Sequence, residues 1–132
     1  MHRPAFLLSI FSAAAFGAFV TAASAAPPSI EGSWSGKGVI SHGGASDQVH
    51  CRVRHTKAGG SAYTYNSTCA TDTGRYELLG RIKSSGGNRY TGSVSSPDYK
   101  GSGNVLLFQK GNHLSITVTN NKGSARITLT KN

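Results

Sequence analysis

From Gly32 to Lys131 apolar and polar positions alternate in short segments, a period of two that predicts β-strands. No stretch sustains apolar residues at helical spacing. Eight segments read as strands, at about 32–40, 48–56, 62–71, 74–83, 88–96, 99–108, 112–119 and 123–131. Between them lie residues with turn chemistry: Lys57–Ser61, Ser84–Asn88, Ser96-Pro97-Asp98, Lys110-Gly111-Asn112 and Asn120–Gly123. Each gap is short enough for a hairpin, so consecutive strands should pair antiparallel. Gly43-Gly44-Ala45-Ser46 reads as a looser loop.

The alternation also assigns faces. One face collects Trp34, Ile40, Val49, Cys51, Val53, Tyr76, Leu78, Ile82, Tyr90, Val94, Val105, Leu107, Leu114, Ile116, Val118, Ile127 and Leu129. The other collects Arg52, Arg54, Glu77, Arg81, Lys83, Arg89, Ser115, Thr117, Thr128 and Thr130. Leu79, Leu106 and Phe108 blur the split, pointing to twist, a bulge or a patch packed from outside. Strands with one apolar face close as a β-sandwich or as a small antiparallel eight-stranded up-and-down β-barrel. Sequential hairpins favour the barrel, which also removes free strand edges. So small a barrel should be filled mainly by side chains, with at most one small cavity.

The N-terminus changes the reading of the rest. His2 and Arg3 precede an apolar run from Ala5 to Val20 and a small-residue site ending Ala23-Ser24-Ala25, the order of a secretory signal. A membrane-spanning helix needs roughly 20 strongly apolar residues. This run is shorter, rich in Ala and Ser, and followed by Pro27 and Pro28. Residues 1–25 are therefore expected to be a cleaved signal and 26–132 one β-barrel domain. Cleavage would remove four of the five phenylalanines, leaving Phe108, and only Arg3 among the fourteen cations. The mature chain then carries thirteen cations against five acids, a formal charge of +8.

Export bears on the two cysteines. An even pair in an exported chain predicts a disulfide between Cys51 and Cys69, since no second Cys pair or spaced His pair completes a zinc site. If Lys57–Ser61 is the bend, the two face each other across the second and third strands, and Tyr63 and Tyr65 turn inward with them. The destination is periplasmic or secreted.

Candidate chemistry is sparse. The acids are Glu31, Asp47, Asp72, Glu77 and Asp98, none of them on the face predicted interior, and no nucleophile elbow, zinc helix or carboxylate pair appears. That pattern points away from an enzyme, with no catalytic residue, cofactor or metal assigned. His42, Asp47 and His50 are the nearest approach to a metal set, but their spacing fits no standard site. His55 is the one histidine predicted inward. The basic patch of Arg52, Arg54, Arg81, Lys83 and Arg89 reads equally as a solubilising surface and as a surface for anionic envelope polymers. Arg81, Lys83 and Arg89 should meet across a hairpin centred on Ser85-Gly86. Nucleic acid is disfavoured by the export signal and by the lack of aromatics among the cations.

Gly32-Ser33-Trp34-Ser35-Gly36 resembles the first-strand Gly-x-Trp of calycin-type barrels. That resemblance implies a structural core of Trp34 with an arginine near the last strand packed across the indole, for which Arg126 is the candidate. Within the group, mature length and a single disulfide look most like the Inh-type periplasmic metalloprotease inhibitors. The likeness implies that an N-terminal segment enters a protease cleft. The candidate inhibitory trunk here is Ala26, Pro27, Pro28 and Ser29, within Ala26–Glu31. Trp34, Cys51–Arg54 and Cys69–Thr71 also resemble small exported proteins, without assigned activity, from alphaproteobacteria. The expected function is an exported, monomeric, non-enzymatic binding module. Three versions stand open: protease inhibitor, small-ligand carrier, or envelope protein held by its basic face.

Overall fold

A computed structural model describes residues 29–97 and 101–132, besides the isolated Gly17. Apart from Gly17, the expected signal (1–25) lies outside the described residues, as do trunk residues Ala26, Pro27 and Pro28, and Asp98. Eight antiparallel strands follow one another: β1 (Gly32–His42), β2 (Ala45–Lys57), β3 (Ala62–Thr71), β4 (Gly74–Gly86), β5 (Arg89–Ser95), β6 (Ser102–Lys110), β7 (His113–Asn120) and β8 (Gly123–Lys131). Each pairs with the next, and β8 pairs with β1 to close the barrel, so the sandwich alternative falls away. Closure leaves every strand paired on both sides and answers the edge problem without a covering helix.

The period-two faces are the inner and outer walls. Trp34, Val49, Val53, Ile82, Val94, Val105, Leu107, Leu114, Ile116, Ile127 and Leu129 are buried inside. Leu79, Leu106 and Phe108, the positions that blurred the pattern, point outward and are exposed. Cys51 and Cys69 are register partners joined by a disulfide, and the interior gains Tyr65 from the same strand. The disulfide fixes β2 against β3 one strand away from the β1–β2 turn.

Two local predictions change. Gly43-Gly44 is a tight two-residue turn, with His42 paired to Ala45 and positive φ at both glycines (53° and 80°). Such a turn matches the strand twist and favours glycine at positive φ, so the segment is a hairpin end rather than a loose loop. The β4–β5 hairpin centres on Gly87-Asn88, because β4 runs on to Gly86 through an irregularity at Ser85. Lys83 consequently faces Thr91, with Arg89 diagonal to it, and Arg89 stacks on Phe108 with its guanidinium 6.0 Å from the ring centre.

Sharp curvature is built from inward-facing glycines. A Cβ on Gly36 would overlap the Thr128 carbonyl across β1–β8, and one on Gly92 would overlap the Arg81 carbonyl across β4–β5. Glycine at these two corners lets neighbouring backbones fold over the missing side chain, and the sheet closes tightly.

One end is plugged. Ile30 lies ahead of β1, fully buried, and its carbonyl accepts Trp34 Nε1–H at 2.8 Å and a hydrogen bond from His55 Nδ1 at 3.1 Å. Gly32, at φ 110°, turns the chain from the plug into the wall. Burying Ile30 contributes about 2 kcal/mol. Lys131 straps the same segment from β8: its Nζ donates to the Ser29 carbonyl at 2.8 Å and sits 5.7 Å from the Trp34 ring centre. The partner of the indole is thus Lys131, not Arg126. Residue 126 has outward parity on β8, between Val39 and Thr117, and its side chain is exposed.

Candidate functional site

Among the described residues the end opposite the plug is open. A cavity of about 860 Å³ enters there, among the β1–β2, β3–β4 and β7–β8 turns and the β5–β6 connection. Its depth is apolar: Ile40, Leu78, Val94, Val118 and Ile127, with Cys69 of the disulfide beside them. The expectation of a barrel filled mainly by side chains with at most one small cavity holds for the plugged half, while the cavity of the other half is larger than expected. β1 runs two residues and β2 three residues further toward this end than the periodicity indicated, and the added length forms a second storey. Small inward residues, Gly103 and Ala125, put little side-chain volume into that storey.

Polar groups ring the mouth. His42 and Asp47 extend the inward parity of β1 and β2, and His42 Nε2 lies 3.1 Å from Asp47 Oδ2, both about half exposed. Placing all five acids off the interior face was therefore incorrect for Asp47. Its register partner is the cavity residue Ile40, and β2 begins three positions earlier than its apolar pattern. His42 shares the cavity lining, so His55 is not the only inward histidine. His50 has the opposite parity and faces out, which separates it from His42 and Asp47. Among the described residues no group of three potential ligands gathers. Tyr76, Thr71 and Asn120 add hydrogen-bonding groups at the rim.

Beneath the cavity floor the plugged half carries polar atoms that the strand pairing does not satisfy. His55 is fully buried, and burial pulls its pKa down to about 4 despite the Ile30 carbonyl, which favours the proton. A carbonyl only accepts, so neutral His55 carries its hydrogen on Nδ1 and turns a bare Nε2 into the core, without a partner among the described residues. His55 packs tilted against its register partner Tyr65, ring centres 5.5 Å apart. The hydroxyls of Tyr65 and Ser67 neighbour each other on the inner face of β3, yet neither makes a well-formed hydrogen bond among the described residues. Burial raises the Tyr65 pKa, and the nearby Ser67 hydroxyl partly offsets it.

The remaining predicted residues divide clearly. Arg52, Arg54, Arg81, Lys83 and Arg89 all stand exposed on the outer wall, away from the cavity. Ser29, the one described residue of the expected trunk, is held to the barrel by Lys131 and accepts Glu31 N–H on its Oγ at 3.0 Å. Ile30, next in the segment, is core. Sequence reasoning missed Ile30, Lys131 and the hollow upper storey. Extending the alternation one residue ahead of the second strand would have found Asp47, Lys131 already closed the eighth segment at inward parity, and Ile30 lies two residues ahead of the first.

No protein-family model matches the chain, and no curated protein matches its sequence. Solved structures do share its fold. A redesigned β-barrel, mFAP1, bound to DFHBI, superposes at TM-score 0.66 with 8% identity, covering 77% of this chain and 94% of that one. A de novo designed fluorescence-activating β-barrel matches at 0.59 with 11% identity, over 77% and 93%. Rv2717c from M. tuberculosis matches at 0.54 with 14% identity, over 78% and 92%. At these identities the likeness establishes the eight-stranded barrel architecture, consistent with a calycin-like barrel, and nothing finer. Among the described residues no helix is long and apolar enough to cross a membrane.

Proposed function

We propose that this protein is an exported, non-enzymatic carrier that holds a small, largely apolar molecule in the open half of its barrel. The observation that carries this reading is the one-ended cavity of about 860 Å³, apolar in depth and polar at the mouth. That volume falls in the range of small-molecule sites, and the arrangement suits a ligand with an apolar body and a hydrogen-bonding end. The plug supports it too, since a barrel sealed below and open above holds a guest without a channel. The designed barrel mFAP1, described as bound to DFHBI, is an architectural precedent. The disulfide and the N-terminal pattern support placement in the periplasm or outside the cell.

Native mass spectrometry of gently purified protein is the test. Adducts of defined mass that leave on mild activation support the carrier. Uniformly ligand-free protein that also takes up none of a panel of fatty acids, isoprenoids and aromatic dyes refutes it.

Inhibition of a protease by the N-terminal segment is less well supported. Ile30 and the Ser29 carbonyl are committed to the barrel, so an inserting trunk would be limited to Ala26, Pro27 and Pro28.

A further inference from the structure

A second concave feature lies on the outside of the barrel, across β1 to β4. The depression, of about 500 Å³, is lined by Lys37, His50, Arg52 and Arg75 around a floor that includes Ser35, Thr68 and Ala70. We propose that it is a binding groove for phosphate groups, distinct from the cavity and from the basic patch expected along β2, β4 and β5. Only Arg52 belongs to both.

Strand register explains the arrangement. Lys37, His50, Ala70 and Arg75 form one row across the four strands, and Ser35, Arg52 and Thr68 form the row beside it. Neighbouring strands lie about 4.8 Å apart, so Lys37 and Arg75 stand roughly 14 Å apart at the backbone. Side chains as long as those of Lys37 and Arg75 can span that distance toward a common ligand from both sides. Small residues between them keep the floor low, and the Ser35 and Thr68 hydroxyls sit where they can donate to an oxyanion. Ser35 Oγ donates at present to the Asn132 side-chain oxygen, a bond a ligand would replace.

The electrostatics favour one ligand sign. Among the described residues no acid lines the depression, and none of its four basic side chains is in an ion pair. Glu77, register partner of Thr68, borders the groove without lining it. The disulfide behind the wall joins Cys51 to Cys69, the residues between His50 and Arg52 and between Thr68 and Ala70. It therefore fixes the two central strands on which the groove depends. A cluster of cations carried on fixed strands, with hydroxyls between them, is suited to phosphate oxygens, whether on a free anion or a lipid headgroup.

The purified protein is titrated with sodium pyrophosphate under amide NMR, and floated with vesicles of phosphatidylglycerol and phosphatidylcholine or of phosphatidylcholine alone. Two double variants alter net charge equally: Arg52→Glu/Arg75→Glu in the groove, and Arg81→Glu/Lys83→Glu elsewhere on the outer wall. Saturable shifts at Ser35, Arg52 and Thr68, or flotation requiring the anionic lipid, are expected. The groove variant should weaken binding at least about tenfold, and the other variant should stay within about twofold. Pyrophosphate binding alone identifies a free phosphate ligand, and flotation alone a lipid headgroup; either supports the groove if Arg52→Glu/Arg75→Glu is the damaging change. Absence of both kinds of binding, or equal loss in the two double variants, overturns it. Circular dichroism of the exposed-site variants confirms that they are folded.

Discussion

Acidification should destabilise the barrel through His55, and the size of the effect follows from its surroundings. The imidazole is enclosed beneath Ile30, where a charge would lose nearly all its hydration, and its pKa falls from 6.5 to about 4. The unfolded chain therefore takes up a proton near pH 6.5 that the folded chain refuses until near pH 4. The native state binds fewer protons in that window, so stability is fully present above about pH 6.5 and declines as pH falls. The two values give a loss of about 2 kcal/mol by pH 5 and about 3 kcal/mol by pH 4, relative to pH 8. Urea unfolding followed by tyrosine and tryptophan fluorescence at pH 8, 6, 5 and 4 measures it. His55→Asn is the control, because its amide nitrogen replaces Nδ1 toward the Ile30 carbonyl and does not titrate. The variant should be less stable at pH 8 but lose about 3 kcal/mol less between pH 8 and pH 4. Equal pH dependence in the two proteins would refute the reasoning and mean that His55 is readily protonated in the folded state.

Other consequences of the packing can be measured by the same unfolding assay. Lys131→Met should cost about 1–2 kcal/mol, through the lost bond to Ser29 and the contact with the indole, while exposed Arg126→Ala should stay within about 0.5 kcal/mol. Reducing the Cys51–Cys69 bond, whose partners are 18 residues apart, should lower stability by about 3 kcal/mol, seen as a shifted urea midpoint with and without a phosphine reductant. Gly36→Ala should cost more than about 3 kcal/mol or prevent folding, because the added Cβ meets the Thr128 carbonyl across the closing strand pair; yield and near-ultraviolet circular dichroism report it.

The barrel was legible because alternation is a local property. Val105, Leu107, Leu114, Ile116, Ile127 and Leu129 occur at strict two-residue spacing, and short glycine-bearing gaps allow few connections other than hairpins. Cys51 and Cys69 could be paired because the intervening bend sets their register. The cavity was not legible, since it depends on how much volume inward side chains leave unfilled around a closed ring. Gly103 and Ala125 lie on different strands, and only the closed barrel places them around one space. The expected role of Arg126 failed on parity: a side chain pointing out of β8 cannot reach an indole inside, whereas Lys131 is on the inner parity at the strand's end. Ile30 escaped because it lies before the first alternating segment and is recruited by the two hydrogen bonds to its carbonyl. The phosphate groove escaped for a different reason. Lys37, His50 and Arg75 lie far apart in sequence and become one row only when strand register is known.

The carrier reading rests on the hollow half of the barrel, and equilibrium binding of the neutral dye N-phenyl-1-naphthylamine tests it most directly. The wild-type protein is compared with Val118→Trp/Ala125→Trp, which sets two indoles into the cavity from paired positions on β7 and β8. A carrier should give saturable fluorescence enhancement as the wild type and at least about tenfold weaker binding as the folded variant, a difference of about 1.4 kcal/mol or more. No binding by the wild type, or equal binding by both proteins, would contradict it.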